Sequence, residues 1–143
     1  MFERAQSAGL PMLGGVDFYV TSAAQKVRAH YWPAHQLTHD TDDCHLSSVK
    51  LPVGNEEADV DTIVIMPGFA EFCEKYSQDA LRLHQWGYNV LIIDWPGQGL
   101  SGHLGRPVLA VHSDEFANYL DALDAVIENI GLGGENLILL GHS

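Results

Sequence analysis

Leu137-Ile138-Leu139-Leu140-Gly141-His142-Ser143 is the stretch that decides the fold. An apolar run passing into Gly-His-Ser has the form of a buried strand entering the first half of a G-x-S-x-G turn. That turn is a sharp, strained strand-to-helix corner that lifts a serine oxygen above the sheet edge, with glycine where a side chain would clash. Three residues of such a turn occur by chance in many loops, so their meaning depends on the sequence upstream.

Two glycine-containing segments lie upstream, each directly after an apolar run. Thr62-Ile63-Val64-Ile65-Met66 leads into Pro67-Gly68-Phe69-Ala70-Glu71-Phe72, and Asn89-Val90-Leu91-Ile92-Ile93 leads into the segment Asp94 to Gly102. Short, continuous, Ile- and Val-rich runs closed by Gly or Pro fit parallel strands buried on both faces. Helical patterns fall between them. From Glu74 to Trp86, Tyr76, Ala80 and Leu83 recur at helical spacing, and Gly87 follows where a left-handed C-terminal cap is expected. From Asp114 to Ile130, Phe116, Leu120, Leu123 and Ile127 form a stripe, with Ser113 as N-cap, Asp114 and Glu115 at the positive end of the helix dipole, and Gly131 as the stop. Tyr119 and Trp86 are expected in the core. The order is strand, helix, strand, helix, strand.

With these residues in place, the chain resembles the α/β-hydrolase superfamily, and most of all its lysophospholipase and monoacylglycerol lipase branch, the serine aminopeptidase S33 type. There one strand ends in H-G-x-x-E, the next in D-x-x-G-x-G-x-S and a third in G-H-S-x-G-G. Gly68-Phe69-Ala70-Glu71 matches the first, with Tyr76 close behind. Asp94 through Gly97 and Gly99 to Ser101 matches the second, and Gly141-His142-Ser143 matches the start of the third. Pro67 stands where the family usually has histidine. The resemblance runs from about Thr62 onward and implies the N-terminal half of an α/β-hydrolase fold, a mostly parallel sheet with flanking helices and antiparallel first strands, ending at the nucleophile turn. Residues 1–143 are expected to be one partial domain, with opening strands and an acidic loop in 1–61 and central strands and helices in 62–143.

The opening strands are read from alternation. Val16 to Val20 alternates Val, Phe and Val with Asp and Tyr, and Val27 to Trp32 alternates Val, Ala and Tyr with Arg, His and Trp. They read as an antiparallel pair joined by the polar segment Thr21 to Lys26. His35 to Asp61 is polar and acidic and reads as a surface excursion. His30, His35, His39, Asp40, Asp42, Asp43, Cys44 and His45 crowd together, but their spacing fits no closed zinc pattern, so no metal is expected. Cys44 and Cys73 read as free thiols. The Gly97-x-Gly99 pair, with Gly102, is not a dinucleotide fingerprint, because no helical pattern starts there to receive a pyrophosphate. A structural role is favoured for Asp94 to Gly102, and no cofactor is expected.

Composition narrows the partners. A net charge of -12, from 19 acidic against 7 basic side chains, makes nucleic acid or an anionic membrane surface an unfavourable partner by repulsion. No run reaches the length of a membrane span, and Met1 to Gly15 lacks the charged start and apolar centre of a signal peptide, so a cytoplasmic location is expected. The sequence leaves the oligomeric state open.

What the resemblance implies for chemistry can be stated residue by residue. Ser143 is the expected nucleophile; a serine hydroxyl needs a histidine base and an acid to orient that base. In the family both follow the serine, whereas all eight histidines here precede it, so the acid and base are expected beyond this chain and the chain alone is expected to be inactive. The backbone N–H of Phe69, placed by the turn at Gly68, is the expected oxyanion donor, and Gly68, Phe69 and Phe72 are the expected substrate-binding residues. The activity implied is carboxylic-ester hydrolysis through an acyl-serine, on a lysophospholipid or monoacylglycerol. A serine aminopeptidase or iminopeptidase and a non-catalytic binding protein on the same fold are the alternatives. Dehalogenases and epoxide hydrolases carry aspartate at the turn.

Overall fold

The computed structural model describes residues 12, 14–34, 60–103, 115–132 and 136–143. Five strands form a single sheet: β1 (Val16–Ser22), β2 (Gln25–Trp32), β3 (Thr62–Met66), β4 (Asn89–Ile93) and β5 (Leu137–Gly141). Their spatial order is β1-β2-β4-β3-β5. The hairpin β1–β2 is antiparallel, β2 joins β4 antiparallel, and β4, β3 and β5 run parallel. Two helices connect the parallel strands. A 3-10 turn (Cys73–Tyr76) runs into α1 (Ser77–Gln85) between β3 and β4, and α2 (Ala117–Asn129) lies between β4 and β5.

Period-two geometry explains why β3 and β4 are apolar after their first residues, Thr62 and Asn89. Successive side chains point to opposite faces. Val64, Leu91 and Ile93 pack on one side with Val27, Ala29 and Tyr31 of β2 and with Ala122, Leu123 and Val126 of α2. Ile63, Ile65, Val90 and Ile92 pack on the other with Trp32, Cys73 and Ala80, supported by Tyr76 and Leu83. Helices therefore cover both faces, and no position in β3 or β4 faces water. Each such side chain, fully buried, stabilises the fold by about 1.5–3 kcal/mol.

The sequence expectations hold for the parallel strands and for both helix stops: Gly87 and Gly131 take φ +96° and +70°, the left-handed conformation that glycine adopts without Cβ strain. Four expectations need correction. The first concerns the link between β1 and β2. The polar segment Thr21 to Lys26 is not a loop; the strands run on to Ser22 and Gln25 and are joined by Ala23 and Ala24 alone, at φ 47° and 61°. A two-residue hairpin turn with positive φ at both central positions matches the right-handed strand twist, and Asn-Gly is its usual signature. Ala-Ala carries no such signal. The second concerns β2, where Val, Ala and Tyr alternate with Arg, His and Trp in sequence, yet Val27 to Trp32 are all buried. The physical reason, a buried ion cluster, is described below.

The third correction is the buried stripe of α2. Phe116 is 75% exposed and Leu120 is 52% exposed, and the face packed on the sheet is Ala122, Leu123 and Val126. Small Ala122 lets the helix approach the strands, so the buried stripe turns away from the larger residues at its start. The described helix begins at Ala117 with Phe116 in the cap position; Ser113 and Asp114 lie outside the described residues. Last, Trp86 is 73% exposed rather than in the core, because α1 ends at Gln85 and Trp86 takes the C-cap position. Residues 35–59, read from the sequence as part of a surface excursion, with Cys44 and the rest of the histidine cluster except His30, also lie outside the described residues.

Among the described residues no helix is long and apolar enough to cross a membrane.

The hairpin turn yields a direct test. An L-residue in the left-handed region costs roughly 1–2 kcal/mol. Ala23→Asn combined with Ala24→Gly should therefore stabilise the protein by about 1 kcal/mol, seen as a rise in the denaturant midpoint with unchanged slope. An unchanged or lowered midpoint would contradict this turn geometry.

Candidate active site

The connectivity places a reversal of the chain before any side chain is considered. From β3 the chain crosses to β4 on one side, and from β4 it crosses back to β5 on the other side of β3. Open parallel sheets bind ligands outside the carboxyl ends of the strands where the chain reverses direction in this way. Here that point lies between the ends of β3 and β5, and Pro67-Gly68-Phe69 and His142-Ser143 emerge there.

The two strand exits stay together for one residue and then turn. The His142 N–H donates to the Met66 carbonyl at 3.1 Å, extending the β3–β5 pairing. Beyond it, Gly68 and Ser143 come into close approach: a Cβ on Gly68 would lie 3.1 Å from the Ser143 carbonyl carbon, 3.0 Å from His142 Nδ1 and 3.0 Å from Glu71 Oε2. Glycine is favoured here by this close approach, not by φ. The Glu71 N–H donates back to the Gly68 carbonyl at 3.3 Å, and Ala70 takes φ 59°, so the turn is tight and carries a non-glycine residue in the left-handed region. Trp95 Nε1 holds the near end by donating to the Pro67 carbonyl at 2.7 Å.

The turn disposes its two N–H groups differently. The Gly68 N–H donates to Glu71 Oε2 at 2.8 Å. The Phe69 N–H has no acceptor among the described residues. The Phe69 side chain is 73% exposed. Phe72 is half-buried, with extended backbone at the entrance to the 3-10 turn. Ser143 is exposed. Its neighbour His142 is turned toward Glu71, Nδ1 to Oε2 at 3.0 Å, and meets the Tyr76 ring edge-on at 6.2 Å between centroids.

Glu71 is the best-supplied carboxylate at this edge. Besides Gly68 and His142, Lys75 Nζ donates to Oε1 and the Tyr76 hydroxyl to Oε2. The bonds from Lys75 and Tyr76, with the Gly68 N–H, hold its carboxyl down to about 2. Burial and the bond to Glu71 push the Tyr76 phenol up to about 12.

The second motif is a structural tie, as the sequence favours. Asp94 Oδ1 accepts from the Cys73 N–H at 2.7 Å, and Oδ2 accepts from the Leu100 N–H at 2.9 Å. Ser101 Oγ donates to the Asp94 carbonyl at 2.6 Å and accepts from the Arg28 N–H at 2.8 Å. Gly99, at φ +53°, lies against the Asp94 carboxylate, where a Cβ would be 2.3 Å away.

Sequence reasoning missed the group at the centre of this tie. Arg28, 2% exposed, donates from Nη1 to Glu74 Oε1 at 2.7 Å and to Asp94 Oδ2 at 3.2 Å. Its Nε and Nη2 bond both Asp17 oxygens at 3.0–3.2 Å. His30 Nδ1 reaches the same Asp17 carboxylate at 2.5 Å. Burial works against ionisation of Asp17, but the bonds from His30 and Arg28 keep its carboxyl below the usual range. Cys73 beside this cluster is a buried free thiol, pushed well up by burial and then by Asp94, so it is no nucleophile at neutral pH.

Comparison with known proteins agrees with this architecture. Residues 58–143 match the family described as serine aminopeptidase, S33, and the chain belongs to that family of α/β-hydrolases. Lysophospholipase L2 of Escherichia coli K12 is 43% identical over 63 residues, which are 44% of this chain and 18% of that protein. Among solved structures, the thioesterase domain from the curacin biosynthetic pathway superposes with a TM-score of 0.62 at 21% identity, over 92% of this chain and 38% of its own. Epoxide hydrolase A from Mycobacterium thermoresistibile does so at 0.60 and 17% identity, over 91% of this chain and 32% of its own. The chain thus spans well under half the length of these proteins, and likenesses at such identity speak for the fold alone.

The ion cluster gives the test for this subsection. Removing one member of a buried ion network leaves the others uncompensated, typically at a cost of about 3–5 kcal/mol. Arg28→Met, which keeps the length but not the charge, should lose about that much in equilibrium unfolding, while Lys75→Met, at the exposed pair with Glu71, should lose less than about 1 kcal/mol. Similar losses from the two would show that the Arg28 cluster is not a buried network.

Proposed function

We propose that the intact protein is a serine hydrolase that cleaves carboxylic esters through an acyl-serine intermediate, with a lysophospholipid or monoacylglycerol as its substrate class. The observation that carries this reading is the contact of the Gly68–Phe69 turn with the backbone of Ser143 at the reversal point of the sheet, with the Phe69 N–H left without an acceptor among the described residues. A substrate carbonyl between the two turns would meet the serine oxygen from one side and that N–H from the other.

The chemistry follows from the roles. Ser143 Oγ attacks the ester carbonyl carbon as its proton passes to a histidine base. The carbon becomes tetrahedral, and the negative charge on its oxygen is met by the Phe69 N–H and, by the family pattern, by the N–H following the nucleophile; one such donor is worth about 3–4 kcal/mol. The alcohol leaves with the proton, and water repeats the sequence to release the acid. By the family's order the base and its acid follow Ser143. The exposed Phe69 side chain suits contact with an acyl chain.

The description of the family itself favours a second reading, an aminopeptidase. Such an enzyme needs a free anionic group for the substrate ammonium. Glu71, the carboxylate beside the turn, is already engaged by Lys75, Tyr76, Gly68 and His142, which supports the ester reading. Turnover of short-chain esters against aminoacyl amides separates the two.

Two outcomes are expected. A fluorophosphonate probe should label Ser143 in the intact protein, and Ser143→Ala should abolish labelling and ester turnover with the fold retained; turnover surviving in that variant would sink the assignment. The turn is tested separately. Gly68→Val must displace Glu71, His142 or Ser143, and should lower the rate on a small ester about 100-fold, whereas Phe69→Leu, which leaves the backbone donor in place, should change chain-length preference with little effect on that rate. The reverse pattern would contradict a backbone role for Phe69.

A further inference from the structure

Two separate pieces of chain meet on the Glu71 carboxylate, the stretch after β3 and the exit of β5. Gly68 follows β3, His142 follows β5, 71 positions away from Glu71 in sequence, and Lys75 and Tyr76 belong to the 3-10 turn. The backbone pairing of β3 with β5 ends at the bond from His142 to Met66. Past that bond, among the described residues, the turn at Gly68 and the turn at Ser143 are joined through this one side chain, whose Oε2 accepts from Gly68 at 2.8 Å and from His142 at 3.0 Å.

We propose that Glu71 is a positioning residue for the ester hydrolysis: it locks the turn carrying Phe69 to the turn carrying Ser143, so that the Phe69 N–H and the serine oxygen keep a fixed spacing around the reacting carbonyl. The inference rests on the ester-hydrolase reading above. It accounts for the Gly68 N–H being spent internally on Glu71, which leaves the next N–H along the turn for the substrate. It also accounts for the supply of donors. Lys75 and Tyr76 keep the carboxylate charged and oriented, and Lys75 offsets the repulsion that a bare carboxylate would exert on a nearby oxyanion.

Positioning and charge predict opposite signs for one substitution. If only the charge of Glu71 mattered, Glu71→Gln would remove a negative charge near the oxyanion and leave the rate the same or higher. If Glu71 positions, the amide fails, because Oε2 takes three donors, from Gly68, His142 and Tyr76, which a neutral amide oxygen with two lone pairs cannot all hold, and its NH₂ would face the Lys75 donor. Glu71→Asp keeps the charge but is shorter by one methylene, about 1.5 Å, and cannot span both turns.

The test uses the intact protein. It measures kcat and KM on p-nitrophenyl butyrate per site titrated with a fluorophosphonate, together with inhibition by an alkyl trifluoromethyl ketone, which forms an oxyanion on the serine. Both Glu71→Gln and Glu71→Asp should lower kcat by about 10- to 100-fold, with KM within about threefold of wild type, and the inhibition constant of the ketone should rise in step with the fall in kcat/KM. Loss of active protein alone would move neither kcat per titrated site nor the ketone constant. Tyr76→Phe, which removes one donor and keeps the ring, should show a several-fold fall in kcat and a matching rise in the ketone constant; it decides the matter if the Glu71 variants do not fold. Wild-type values per titrated site in Glu71→Gln, or in Tyr76→Phe where the Glu71 variants are unfolded, would overturn the positioning role while labelled Ser143 leaves the ester reading standing. An unlabelled Ser143 in the wild type would overturn both.

Discussion

The Arg28 guanidinium is the interaction on which the arrangement of the described chain depends. It lies on β2 and binds Asp17 on β1, Glu74 in the 3-10 turn and Asp94 at the exit of β4. Partners from so many elements mean that the antiparallel hairpin, the parallel sheet and the segment after β3 take their relative positions from one cation. Such a network adds little net stability compared with well-packed apolar groups, since taking the charges out of water cancels much of their attraction. Its effect is on arrangement. An alternative packing that moved any of these elements would leave a carboxylate buried without its partner, a cost that competing folds would have to meet.

Asp94 extends this constraint to the loops. One of its oxygens fixes Cys73, four residues from the turn at Gly68–Phe69, and the other fixes Leu100. The exit of β4 is thereby used up in holding its neighbours, and Gly97 and Gly99, both at positive φ, allow the chain to fold back over that carboxylate. The exits of β3 and β5 take no part in this tie.

The sequence was legible where a pattern is local. β3 and β4 declare themselves because both faces are buried and the run after each polar first residue is apolar, and Gly87 and Gly131 mark helix ends by a conformation that glycine favours. Gly68, Phe69 and Ser143 could be picked out because spaced motifs carry them, and the structure brings all three to one edge. Legibility failed where the deciding contact is distant. Arg28 meets partners 11, 46 and 66 positions away, and in sequence it reads as an outward-facing residue of an alternating strand. The hairpin turn was missed for another reason: Ala23 and Ala24 adopt a backbone that their side chains do not favour, so the tight turn is imposed by strand pairing and leaves no local trace. α2 shows the same override, since Phe116 and Leu120 at its start are exposed while Ala122, Leu123 and Val126 are buried against the sheet.

Glu71 sits between these cases. The motif places it three residues after Gly68, and the local turn explains its bond to the Gly68 N–H. Its bond to His142 is not local at all and exists only because β5 pairs with β3 and not with β4. The strand order therefore does two things at once: it puts the reversal of the chain between β3 and β5, and the same adjacency brings His142 within reach of Glu71. A sheet with β5 on the far side of β4 would still bury the same apolar residues of β3 and β4, yet Gly68 and Ser143 would no longer share an edge. The core specifies a sheet, and the polar contacts at its carboxyl end tie together the two turns that leave β3 and β5.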